Sequence, residues 1–175
     1  RFRIILPGRF FSGTQCKEHL AAISAFSQLR ALLPDQDISL KLVGHVATNH
    51  RRYAQKVKSR AKKEGVEVVL DAGRDVLLDL MKESDVVWAI TGISDRGADP
   101  ADAEHFGIAL LESMRFGNVP VVVNKGGPRE ITSGFPDFLR VTSVRELALS
   151  TMELYDMSHE DFLGLKIKSH SRARE

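Results

Sequence analysis

Glu104 and Glu112 stand eight residues apart in the run Glu104-His105-Phe106-Gly107-Ile108-Ala109-Leu110-Leu111-Glu112. The first closes a polar loop. The second falls in a helical pattern whose neighbouring positions are Ile108, Ala109, Leu110, Leu111, Met114 and Phe116. A helix so apolar is expected to be buried almost all round, and a carboxylate inside it needs partners. Its two acceptor oxygens can hold a vicinal diol. The helix start, residues 106–109, offers backbone N–H groups without intrahelical acceptors at the positive end of the dipole, which suits an anion. A sugar–diphosphate–nucleoside fits: phosphates at the helix start, ribose against Glu112, hexose beside Glu104. Taken singly, each acid also has a plainer reading. Glu104 could be a loop acid near a helix start, and Glu112 the partner of a core Arg or Lys.

A second group follows the first apolar run: Gly8-Arg9-Phe10-Phe11-Ser12-Gly13-Thr14-Gln15-Cys16-Lys17. Gly8 and Gly13 permit tight turning. Arg9 leaves the end of the run, and Lys17 is expected at the start of the next helix. An arginine grips phosphate oxygens as a fork, and a lysine adds a point charge. A lysine at a helix start is unfavourable by up to about 1 kcal/mol, and a bound diphosphate would reverse that sign. On its own, a surface Arg and a surface Lys would account for the pair. A third group, Asn124-Lys125-Gly126-Gly127-Pro128, lets a ligand approach the backbone at two glycines, with Pro128 pre-set for the first turn of a helix.

The elements that must hold these groups are legible from periodicity. Apolar runs at 2–6, 38–43, 66–70, 85–90, 119–123 and 138–141 predict six strands. Helical patterns lie between them at 17–33, 51–64, 75–83 and 107–116, with a short helix after residue 128 and further helices from Ser143 and from His159. Pro34 stops the first helix and Gly65 caps the second. Short strands separated by helices require parallel pairing and right-handed crossovers. Near-continuous apolar strands such as 119–123 suit a sheet covered on both faces. The fold class is therefore α/β, a Rossmann-like doubly wound parallel sheet of about six strands. In such a fold, ligands sit outside the carboxyl ends of the strands. The loops at 7–16, 44–50, 71–74, 91–103 and 124–127 share that rim.

Size and composition agree. The 175 residues are enough for one domain, with a core over about 2–155 and a helical C-terminal segment over about 159–175. No apolar run approaches the roughly 20 residues of a membrane span. The formal charge of +2 is too small to point to nucleic acid. Positive charge is nonetheless clustered at 56–63 and 166–174. A solvated helix face and a basic end explain it, with contact to a membrane surface as the minor reading. Cys16 is the single cysteine, so there is neither a disulfide framework nor a thiolate metal site. No G-x-G-x-x-G follows the first strand, which leaves nicotinamide and flavin unsupported. There is no Walker-type loop, no G-x-S-x-G elbow and no metal-ligand spacing among the six histidines. The chain does not open on Met, and nothing precedes its first core strand. An excised or truncated domain is expected.

Together these segments, in this order over residues 2–153, resemble the C-terminal domain of GT-B-fold retaining glycosyltransferases, the group 1 family that includes glycogen synthases and many mannosyl- and glucosyltransferases. The E-H-F-G-x-x-x-x-E run carries most of the resemblance; Gly8-Arg9-Phe10 with Lys17, and 119–123 leading to Gly126-Gly127, support it. The resemblance implies the C-terminal half of a GT-B fold, an N-terminal acceptor domain absent from this chain, and little or no transfer by the fragment alone. It implies that Arg9 and Lys17 hold the donor diphosphate and stabilise it as leaving group, and that Glu104 orients the hexose. It places Glu112 on the ribose, His105 and the backbone of Phe106, Gly107 and Ile108 around hexose and phosphate, and the base near Gly44 and 71–74. No cofactor and no metal are expected for donor binding. The expected partners are a nucleotide-diphosphate sugar (UDP- or GDP-linked) and a lipid-linked or glycan acceptor at a membrane surface, with a cytoplasmic or membrane-peripheral location. Two departures stand out. Arg115-Phe116 replaces the small residues usual before Gly117, and Ala89 stands where many relatives have His. A sugar-nucleotide epimerase of the same fold and a non-catalytic Rossmann-like interaction module remain the competing readings.

Overall fold

The computed structural model describes residues 1–94, 104 and 106–175. In chain order the elements are β1 (Phe2–Pro7), α1 (His19–Leu32), β2 (Ile38–Gly44), α2 (Arg51–Glu64), β3 (Glu67–Leu70), α3 (Arg74–Lys82), β4 (Val86–Ala89), α4 (Ile108–Met114), β5 (Val119–Val123), α5 (Gly126–Ile131), β6 (Arg140–Val141), α6 (Val144–Asp156) and α7 (His159–Arg172). The six strands form one parallel sheet in the order β3-β2-β1-β4-β5-β6. This is the doubly wound order in which the chain first moves outward one way from β1, then returns and moves outward the other way.

The six-strand, helix-alternating arrangement expected from periodicity is therefore present. Right-handed crossovers put α1 and α2 on one face, where α1 also packs on α6. They put α3 and α4 on the other, where α4 also packs on α7. Covering both faces buries the sheet centre. Every residue of β5 is buried, and Ile4, Ile5 and Leu6 of β1 are at most 2% exposed. Each such aliphatic side chain contributes roughly 1.5–3 kcal/mol by leaving water.

Local signals set several boundaries. α2 ends on Gly65, which takes a left-handed φ of 69°. Ser143 and Ser158 cap α6 and α7, their hydroxyls accepting from the backbone N–H of Glu146 and Asp161. β6 is shorter than expected. The turns at 137–139 form a 3₁₀ helix, leaving only Arg140 and Val141 to pair with β5. Among the described residues no helix is long and apolar enough to cross a membrane.

Candidate functional site

β1 and β4 are the adjacent strands at which the chain reverses direction, and their carboxyl ends open onto a cleft of about 380 Å³. Pro7, Gly8 and Arg9 come to it from β1, Ala89, Ile90 and Thr91 from β4, and Lys17, Glu104 and residues 106–110 close its sides. This is the crevice where a doubly wound sheet receives ligands. It brings together Arg9, Lys17, Glu104, Phe106, Gly107 and Ile108, six of the expected site residues. Ala89 lines it as well. His105 and most of 91–103 lie outside the described residues.

The loop bearing Arg9 owes its position to β2. After β1 the chain keeps tracking the neighbouring segment: Gly8 N–H donates to Val43, Phe10 N–H to His45, and Ala47 N–H to Phe10, at 2.7–3.1 Å. A Cβ on Gly44 would stand 2.0 Å from the Gly8 carbonyl oxygen. Gly44 thus shapes the cleft from behind rather than lining it. Gly8 is a close-approach glycine too, since a Cβ there would meet Lys17 Cγ at 2.4 Å. The expectation that Gly8 serves tight turning gives way to this packing role. Gly13, with φ 113°, does turn the loop.

Phe10 anchors the same loop from inside. Its ring is fully buried and stacks on His19 with centroids 4.0 Å apart and planes 10° from parallel. His19 Nδ1 lies 3.3 Å from the Tyr53 hydroxyl. Burial pulls the His19 pKa down from 6.5 to about 4; the Gly8 backbone opposes this and the Lys17 charge adds to it. A neutral imidazole thus sits directly behind the loop that carries both cations. Burial raises the Tyr53 hydroxyl pKa above its ordinary value. The sequence reading missed His19, and its one available signal was a histidine on the apolar face of a helix.

Lys17 does not start a helix. Glu18 takes a left-handed φ of 56° and caps α1, which begins at His19, so Lys17 stands one residue before the cap. Lys17 instead forms an ion pair with Glu104, both side chains being 24% exposed. The carbonyl of Glu104 accepts from Gly127 N–H at 3.0 Å, which ties the first carboxylate to the glycine turn after β5. Lys125 Nζ, from the same turn, donates to the Gly92 carbonyl at 3.3 Å. Arg9 is exposed, with its guanidinium carbon 5.6 Å from the Phe11 ring centroid. Among the described residues no carboxylate pairs with it.

The helix bearing Glu112 departs from expectation. α4 has seven residues and buries Leu110, Ser113 and Met114, while Ile108 is 69% exposed and Phe106, just before it, 78%. It covers the sheet with one side only, so it is not buried all round. Glu112 lines a neighbouring hollow of about 490 Å³ with Arg74, Leu78, Arg115, Phe116 and Arg174. There it accepts from Arg74 at 2.6 Å; Arg74 is 64% exposed and Glu112 24%. This bond to the carboxylate raises the Arg74 pKa further. Glu112 thus has a basic partner, as one of its sequence readings expected, but that partner is the surface residue Arg74 and not a core Arg or Lys.

A broader hollow of about 820 Å³ lies beyond Gly44, between the loop after β2, the first turns of α2, and Leu70 and Asp71. The Asp71 carboxylate accepts from Val46 N–H at 3.0 Å and lies 3.2 Å from His45 Nδ1; these bonds lower its pKa. Among the described residues no three of His, Cys, Asp and Glu converge as metal ligands would.

Comparison with known proteins agrees with the fold. The model of the family described as "Glycosyl transferases group 1" matches residues 4–136. No curated protein matches. Among solved structures, the catalytic domain of cholesterol-alpha-glucosyltransferase from Helicobacter pylori is similar, with TM-score 0.72 and 21% identity over 99% of this chain and 97% of that one. An alpha,alpha-trehalose-phosphate synthase (UDP-forming) from Burkholderia vietnamiensis has TM-score 0.75 at 12% identity, covering 99% of this chain and 42% of that one. The N-terminal domain of trehalose-6-phosphate phosphatase from Candida albicans has TM-score 0.74 at 11% identity, with 99% and 38% covered. The chain thus spans about two fifths of the length of the latter two.

Proposed function

Because this chain belongs to the glycosyl transferases group 1 family, we propose that it is the donor-binding half of a retaining glycosyltransferase, with a nucleotide-diphosphate sugar in the cleft between the ends of β1 and β4. The observation that carries this reading is the convergence of Arg9, Lys17 and Glu104 with the backbone of residues 106–109 around that one cleft. Two cations and a carboxylate at one mouth suit a molecule that is anionic at its centre and rich in hydroxyls at its end.

In this reading Arg9 and Lys17 grip the diphosphate. Lys17 turns from Glu104 toward phosphate, and Glu104 is then free to accept from hexose hydroxyls and orient the anomeric carbon. As the bond to the sugar breaks, charge grows on the departing diphosphate. Cations seated on the bound diphosphate stabilise it more in the transition state than in the ground state, an effect that belongs to kcat. Glu112 takes the ribose hydroxyls after parting from Arg74, and the base lies toward Gly44 and 71–74. No metal is needed, since the two basic side chains do its electrostatic work. A second domain supplies the acceptor site.

Calorimetry with UDP and GDP tests the reading. Each of Arg9→Ala and Lys17→Ala removes a charge-assisted contact and is expected to weaken nucleotide binding about tenfold or more, with the melting curve retained. Both variants binding like the parent chain would overturn the assignment.

A further inference from the structure

The chain carries 25 Lys or Arg against 23 Asp or Glu, yet the balance is far from even in space. α1 contains Arg30 and no acid; α2 contains seven Lys or Arg and one acid, Glu64. The two helices pack side by side on one face of the sheet. Eight cations and a single carboxylate therefore lie on these two helices, and the remainder of the chain is net acidic.

The two basic clusters of the sequence have different fates. Those on α7 are engaged within the fold. Lys166 pairs with Asp85 at 3.1 Å, Lys168 donates to the Gly134 carbonyl, and Arg172 donates to the Ile131 carbonyl at 3.1 Å. Those on α2 are not. All seven are exposed, and among the described residues only Arg60 is within ion-pair distance of an acid, Glu64, at 3.4 Å.

Their spacing defines a surface. Ala54, Val57 and Ala61 form the buried side of α2. Arg52, Lys56, Arg60 and Lys63 run along one flank at steps of four, four and three, and Arg51, Lys58 and Lys62 along the other. Residues three and four apart are neighbours on a helix, so like charges along each flank repel and weaken the helix. No acid in the first turn offsets Arg51 and Arg52 at the positive end of the dipole. The longer row covers about 17 Å of helix. This is a doubly lined positive strip that Glu64, beside Arg60, and Asp71, near Arg51, offset only in part.

We propose that the solvent face of α2 docks the domain on an anionic lipid surface. Charge complementarity carries the choice of partner: mobile anionic headgroups can gather under both rows at once, and polybasic helices draw such lipids through charge alone. The exposed side of α2 has no aromatic residue on which bases could stack, as proteins that grip single-stranded nucleic acid use. Tyr53 is half-buried and turned to His19, with centroids 6.0 Å apart. The proposal does not depend on the donor cleft, and its test does not touch it.

Co-sedimentation of the chain with vesicles decides it. Binding is expected to vesicles of phosphatidylcholine mixed with phosphatidylglycerol and not to phosphatidylcholine alone, and to vanish in high salt as screening shortens the range of the charges. The triple variant Lys56→Ala, Arg60→Ala, Lys63→Ala is expected to lose affinity by on the order of a hundredfold. Its melting temperature should be no lower, since like-charge repulsion is relieved. Absence of binding to the mixed vesicles, or binding that the triple variant leaves unchanged, would overturn the proposal. So would tighter binding to poly(U) or heparin than to the mixed vesicles, which would make a soluble polyanion the partner.

Discussion

The buried imidazole of His19 makes this domain acid-sensitive by a calculable amount. In the folded chain burial holds the group at a pKa of about 4, against 6.5 when it is freely solvated. The folded state thus binds its proton less readily than the unfolded one. Stability from this group is fully present above pH 6.5 and is lost progressively as pH falls toward 4, where the loss levels off. The gap is worth about 3 kcal/mol, a large share of the roughly 5–15 kcal/mol that holds a domain of this kind together. The replacement His19→Phe removes the titration while keeping an aromatic ring against Phe10. Trp88, the single tryptophan, is buried and donates to Thr151 at 3.1 Å, so its fluorescence reports unfolding. Urea titrations of both proteins between about pH 4 and pH 8 should diverge below pH 6.5, by up to about 1.4 kcal/mol per pH unit in disfavour of the parent chain. Loss of the Tyr53 contact shifts the whole variant curve by a constant and leaves the slope intact. Two curves that fall in parallel with acid would refute the reasoning, because His19 would then titrate alike folded and unfolded.

Two other substitutions separate close packing and ion pairing from incidental features of the site. Gly44→Ala pushes a methyl into the Gly8 carbonyl and should cost about 1–3 kcal/mol by thermal melting, whereas Gly73→Ala meets nothing within 4 Å and should cost only the poorer N-cap of α3, under about 1 kcal/mol. Arg74→Ala leaves Glu112 without its bound guanidinium. If the ribose must displace that guanidinium, UDP and GDP should bind this variant more tightly in calorimetry; weaker binding would mean that Arg74 itself holds the nucleotide.

Much of the molecule is legible in its sequence. Six strands and their intervening helices follow from runs whose period matches one element or the other, because a strand buried on both faces and a helix buried on one leave different marks. Gly65, Ser143 and Ser158 end or begin helices for reasons local to a few residues. The convergence of Arg9, Lys17 and Glu104 was also foreseeable, since a parallel sheet sends every loop after a strand to the same rim.

Three-dimensional packing alone decided the rest. Whether Glu112 faces the cleft or its neighbour depends on the rotation of a seven-residue helix over the sheet, and one turn of apolar spacing does not specify that angle. Arg74 and Glu112, like Lys17 and Glu104, are far apart along the chain, so nothing local couples them. Gly44 reads as the end of a strand until the Gly8 carbonyl is seen to occupy the place of its missing side chain. The two basic clusters differ because Asp85 and two backbone carbonyls engage the cations of α7, while most of those on α2 stand exposed. Sequence periodicity specifies which elements form; the pairing of residues distant along the chain arises when those elements meet.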